Sequence, residues 1–196
     1  MGRRTERGVS LPELLVVLAI IALFALIAIP SFRDFLNAFR VKTAAMQVRD
    51  TTRLARQMAV ARKGLVMTKL TTASGQEAYS GWQELNNPCA TDADACQQDS
   101  GEETVRPLVV IPQGVKIVKV LSTNDDTLAS PIYFRMQSDG TIFRRGGDAG
   151  EAQWCIVFEK KINATRTDRW MVTFKLSGKS NLILNPNLSD TNLCKT

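Results

Sequence analysis

The 196-residue chain contains no histidine. That absence excludes Ser-His and Cys-His catalytic dyads and every metal site built on imidazole, which argues against an enzyme. Long apolar runs are also absent, except for one near the N-terminus. No internal repeat or low-complexity tract stands out. With 44% hydrophobic and 22% charged residues the chain is not wholly disordered, and its length suffices for one or two domains with a sizeable core.

The one apolar run extends from Leu14 to Ile29, LLVVLAIIALFALIAI, without a charge or a hydrogen-bonding side chain. As a helix its sixteen residues span roughly 24 Å, and the flanks Leu11 and Phe32 bring it to the thickness of a bilayer core. A single-span membrane protein is expected. Arg3, Arg4 and Arg7 precede the run with Glu6 as the one acid among them. The positive-inside rule then keeps the N-terminus cytoplasmic and exports everything after Phe32. Cys89, Cys96, Cys155 and Cys194 all fall on that exported side, where disulfides persist.

A cleavable secretory signal would end in a small-x-small site, but the run ends Ile29-Pro30-Ser31-Phe32-Arg33. Its polar edge reads Arg7-Gly8-Val9-Ser10-Leu11-Pro12-Glu13. Glu13 is costly at the edge of a membrane helix and is therefore a functional candidate. One role is local: Ser10-Leu11-Pro12-Glu13 fits a capping box, and proline is tolerated in a first turn. The other is intermolecular, with Glu13 pairing with a positive group of a neighbouring subunit, most naturally a new α-amino group at Val9. The two are compatible.

This junction resembles the class III signal of type IV prepilins and pseudopilins: a basic leader, a Gly, then an apolar helix with Glu shortly inside it. The resemblance implies cleavage by a prepilin peptidase between Gly8 and Val9, N-methylation of Val9, and an assembly role for Glu13. Pro30 sits where many pilins carry a helix-weakening proline. Val9 in place of the commoner Phe, and Pro12, depart from the usual pattern. The implied division is a leader at 1–8, a membrane and assembly helix at 9–32, an amphipathic stalk helix at 33–63 and a periplasmic head at 64–196.

Between Arg33 and Lys63 there is no Gly and no Pro, and Gly64 is expected to cap the helix end. Val41, Ala44, Val48, Thr51, Ala55 and Met58 recur at three and four spacings and mark one helix face. Arg40, Arg49, Arg53 and Arg56 fall off it, which reads as a solvated or partner-facing side. Residues 33–63 carry eight bases against two acids, whereas 64–196 carry fourteen against fifteen. The chain's net charge of +6 thus resides on the stalk. Nucleic-acid binding by this stripe is disfavoured, because no aromatic stacking platform accompanies it.

Beyond Gly64 short β-rich runs alternate with turn signals. The expected strands are Leu65–Leu70, Tyr79–Leu85, Leu108–Ile111, Val115–Leu121, Ile132–Met136, Thr141–Arg144, Trp154–Glu159, Trp170–Leu176 and Asn181–Leu184, with Ser138-Asp139-Gly140 as a hairpin turn. The expected fold class is α+β: a long N-terminal helix packed on a β-rich head. Residues 86–104 read as a polar, acidic loop; Asp92, Asp94 and Asp99 lack the spacing of an EF-hand, so no metal and no cofactor are expected. Four cysteines allow three pairings. Cys89–Cys96 and Cys155–Cys194 are preferred, since the first is local and the second pins a C-terminus that would otherwise fray. Adjacent acids such as Asp125-Asp126 read as a solvated turn rather than catalytic machinery.

The head is similar to the GspH/FimT/FimU branch of the pilin superfamily. The likeness runs through Val48-Arg49-Asp50 to Arg62, Gly81-Trp82 opening a strand, Leu108 to Val115, and Ile132-Tyr133-Phe134-Arg135 with Ser138-Asp139-Gly140-Thr141. It implies the type IV pilin fold and assembly with other minor pilins, with a major pilin and with a tip adhesin. The two disulfides lean towards a minor pilin that primes a type IV pilus. A pseudopilin of type II secretion is the alternative. A DNA-uptake pilin is demoted, since the Gly-Arg-x-Arg motif of that subgroup reads Gly178-Lys179-Ser180-Asn181 here, leaving Lys179 as a weak nucleic-acid candidate. A signal-anchored periplasmic domain that never polymerises would explain the apolar run and the cysteines, but not the Gly–Glu spacing.

Overall fold

The computed structural model describes residues 11–72, 77–85, 102–123, 130–144, 152–188 and 193–194. One helix, α1 (Leu11–Arg62), opens it. Then come β1 (Leu65–Thr71), β2 (Ala78–Glu84), β3 (Thr104–Val110), β4 (Lys116–Ser122), β5 (Ile132–Met136), β6 (Ile142–Arg144), β7 (Gln153–Lys161), β8 (Thr167–Lys175) and β9 (Ser180–Leu184). The architecture is α+β, as expected. The chain divides into two compact units, residues 1–37 and 38–196, with the boundary inside α1.

In the first unit, Leu14–Ile29 forms helix without a buried large side chain: Leu14, Leu18, Ile21 and Leu26 are all about half exposed or more. A helix that is apolar around its whole circumference cannot be satisfied by water.

In the second unit all strand pairs are antiparallel and form two sheets, ordered β3-β2-β1-β5-β6 and β4-β7-β8-β9. The last six turns of α1 close the core over both. Val41, Ala44, Ala45, Val48, Ala55 and Ala59 are fully buried and share one cluster with Leu70 and Phe134 of the first sheet and Trp154, Ile156, Phe158 and Phe174 of the second. Alanines let the helix backbone approach the strands, and the aromatic rings fill the space between sheets. Phe134 meets Trp154 edge to face at 5.9 Å. Of the expected stripe Val41, Ala44, Val48, Thr51 and Ala55 are buried and Met58 packs partly buried against the same core; Ala45, Thr52 and Ala59 widen it.

Strand alternation sorts β7 cleanly: Trp154, Ile156 and Phe158 face the helix, whereas Cys155 and Val157 join Leu121, Met171, Leu193 and Cys194 in a separate cluster. A third cluster holds Met67, Trp82 and Tyr133.

Four sequence expectations shift. The left-handed residue at the end of α1 is Lys63 (φ 51°) and not Gly64, whose amide donates to Ala59 O at 3.1 Å. β3 begins at Thr104 rather than Leu108: it is the edge of its sheet, where a proline such as Pro107 costs no ladder bond. β8 begins at Thr167 because Asp168 and Arg169, polar in sequence, pair in register with Lys160 and Glu159, and Arg169 Nε donates to Glu159 at 2.6 Å. Gly81 and Trp82 lie inside β2 instead of opening it.

Candidate functional site

Gly8 and Val9 lie outside the described residues. Glu13 sits in the first turn of α1 and is exposed there, beside the apolar residues Leu11, Leu14 and Leu15. An acid in a first turn complements the unsatisfied amides and positive end of the helix. Pro30 lies within the helix, between the apolar segment and the part that joins the head. No other acid occurs between Leu11 and Arg33, so Glu13 is the only candidate in this segment for neutralising a partner's positive charge. The apolar face of the helix thus carries one acid at its edge.

The head contributes a second feature, built where α1 crosses two hairpin turns. Gly140, at φ 83°, turns β5 into β6, and its amide donates to Gln137 O at 2.9 Å. Asp139 Oδ1 accepts from Thr141 N at 2.8 Å and Thr141 Oγ1 at 2.6 Å, which holds its carboxyl below the usual range. Gly178, at φ 77°, turns β8 into β9 in the other sheet. Arg56 reaches both turns. Its Nε donates to Gly140 O at 2.7 Å, and a Cβ at Gly178 would lie only 2.1 Å from that nitrogen. Arg53, one turn earlier, donates from Nε to Ser180 Oγ at 3.0 Å and from Nη2 to Ser180 O at 3.2 Å.

These contacts correct the reading of the basic helix side as merely solvated or partner-facing. Arg53 and Arg56 lock the helix to hairpins of separate sheets, and Arg62 ion-pairs with Glu103 on the other side of the head. Nothing in the spacing of the arginines signals this; it depends on which turns fold back against them. Lys179 is exposed, between the buried Gly178 and Ser180.

A buried hydroxyl relay missed in the sequence supports the same region. Tyr79 Oη lies 2.7 Å from Thr52 Oγ1 on α1 and donates to Thr68 Oγ1 on β1 at 2.9 Å. Burial pushes the Tyr79 hydroxyl up to about 12, against the opposing pull of the two threonines. At the far side of the head Cys155 and Cys194 are joined in a disulfide with Cα atoms 5.7 Å apart, fixing Leu193 onto the second sheet. Cys89 and Cys96 lie outside the described residues. Among the described residues no group of three or more His, Cys, Asp or Glu side chains is arranged to hold a metal.

Residues 3–29 match the prokaryotic N-terminal methylation motif, and residues 44–178 match the family described as Type II transport protein GspH. Among solved structures, the minor pseudopilin EpsH from the Type 2 Secretion System of Vibrio cholerae is similar at 11% identity and a TM-score of 0.46, over 76% of this chain and 99% of that one. No curated protein sequence is a significant match. The methylation motif covers the apolar run, and the GspH match runs from within the stalk through β8, taking in the β5–β6 hairpin and the cysteine-bearing strand β7, so the chain belongs to the GspH family of pilin-like proteins, the minor pilins and pseudopilins.

Proposed function

We propose that this pilin-like protein is a minor pilin that joins the priming and tip complex of a type IV pilus, acting by helix packing and head contacts. The observation that carries this reading is the apolar stretch Leu14–Ile29, which among the described residues has no buried large side chain and carries a single acid, Glu13, in the first turn of its helix. Prepilin peptidase would cut between Gly8 and Val9 and methylate the new terminus. Until assembly the helix holds the subunit in the inner membrane, with the N-terminus cytoplasmic and the head periplasmic. On assembly, lipid contacts are exchanged for neighbouring helices, and Glu13 gains a partner amine, which relieves the cost of a charge at the membrane edge. Residues 86–104 and 185–196 are the segments that would select neighbours: other minor pilins, the major pilin or a tip adhesin.

A second reading, a pseudopilin of a type II secretion system, draws on the family's description as a type II transport protein. DNA uptake through Lys179 is disfavoured, since a lone lysine is a point charge where that subgroup has paired arginines. Intact mass spectrometry of the native polypeptide tests the common core: residues 1–8 should be missing and one methyl gained. A chain still beginning at Met1 would overturn it. Affinity capture from solubilised membranes then separates the readings, by recovery of a major pilin or of pseudopilins.

A further inference from the structure

Arg53, Arg56, Gln57, Gly178, Lys179 and Ser180 line a cleft of about 250 Å³ between α1 and the β8–β9 hairpin. Three of the six are cations. Among the described residues no carboxylate forms an ion pair with any of them. Among the described residues Arg56 donates through Nε only, so both terminal nitrogens remain as donors, and Arg53 keeps Nη1. The hydrogen bonds to Ser180 and Gly140 hold both guanidinium groups, so their free donors are pre-organised for a planar anion. Arg56 and Gln57 also border an adjoining hollow lined by Val60 and Ala61, of which Val60 is 46% exposed.

We propose that this cleft is a docking site for an acidic segment of a neighbouring subunit, a carboxylate entering between Arg53, Arg56 and Lys179 while an adjacent apolar side chain covers Val60 and Ala61. The proposal rests on the assembly reading above and specifies one contact within it. Charge complementarity and size select this occupant. Three cations in a small pocket suit one or two carboxylates, whereas a nucleic acid needs a track of phosphate contacts and aromatic faces for its bases, and the lining has neither. The apolar hollow beside the cations favours a peptide over a free anion. Mutual repulsion of the three cations is relieved when the acid arrives, so the contact rewards assembly and leaves the isolated head under-neutralised.

The test uses the full chain in neutral detergent micelles and a short labelled peptide carrying paired Asp flanked by Leu. Fluorescence anisotropy should report binding that weakens with salt. Lys179→Gln, on an exposed turn position, should weaken it about fivefold, the worth of one partly exposed charge pair, and Lys116→Gln on β4 should leave it unchanged. Replacing Leu by Ser in the peptide should also weaken it. No binding at low ionic strength would overturn the proposal, as would equal losses for Lys179→Gln and Lys116→Gln or a preference for a charge-matched oligonucleotide. Trimming at Gly8 is measured separately by mass, so a failed peptide titration with a correctly trimmed chain sinks this contact and not the assembly reading.

Discussion

The guanidinium of Arg56 lies over the backbone of Gly178 so closely that a Cβ on that residue would stand 2.1 Å from Nε and 2.4 Å from Cδ. Gly178 also adopts φ 77°. Gly178→Ala therefore meets two penalties, a left-handed backbone costing about 1–2 kcal/mol and displacement of Arg56 from its bond to Gly140, worth about 1–3 kcal/mol. Urea unfolding followed by tryptophan fluorescence should show a total loss of roughly 2–5 kcal/mol. In an Arg56→Ala background only the backbone part should remain, about 1–2 kcal/mol; an undiminished effect there would show that the two residues are not coupled.

Tyr79 makes stability depend on alkaline pH. Its folded hydroxyl is raised to about 12, whereas an unfolded tyrosine titrates near 10. Between these values the unfolded chain has released its proton and the folded chain still holds it. Unfolding is then favoured as pH rises, by roughly 2–3 kcal/mol over the window, and the contribution is intact below about pH 10. Tyr79→Phe should cost about 1 kcal/mol at neutral pH through the lost hydroxyl bonds, yet flatten the decline between pH 10 and pH 12. Urea midpoints of both proteins at pH 9 and pH 11 would reveal the difference in slope.

The disulfide between Cys155 and Cys194 closes a loop of 39 residues in sequence separation and anchors Leu193. Changing both cysteines to Ser should destabilise the head by about 4 kcal/mol on the chain-entropy estimate. Limited proteolysis should then cut first near the C-terminus. Equal protection of the wild type and the double variant would remove the pinning role.

Glu13→Ala should leave the head's unfolding midpoint unchanged, because Glu13 is exposed and belongs to the other compact unit. Co-purification of neighbouring subunits from membranes should fall about tenfold or more if an ion pair at the membrane edge worth at least about 1.4 kcal/mol is lost. Retention of normal co-purification would show that the acid serves only as a local helix cap.

The elements were legible because each carries a local signature. The run Leu14–Ile29 has no polar interruption, the stalk stripe from Val41 to Met58 keeps helical spacing, and Ser138-Asp139-Gly140 is a turn between apolar strands. The misplaced strand starts at Thr104 and Thr167 failed for one reason: polar residues and Pro107 hide a strand whose stability comes from its neighbours' ladders. The candidate cleft was legible only in part. Gly178 and Lys179 drew notice as a degraded motif, whereas Arg53 and Arg56 read as surface charge.

The sequence by itself determined that this chain has a membrane-type helix with one acid at its edge, an amphipathic continuation and a β-rich head, since periodicity and apolar length act over neighbouring residues. Only the tertiary structure decided which arginines bond to the head, that Tyr79 joins α1 to β1, and that two turns from separate sheets meet at Arg56. Those contacts bridge residues up to 127 positions apart, as between Arg53 and Ser180, and no local pattern encodes a meeting that exists only once two sheets have packed beneath one helix.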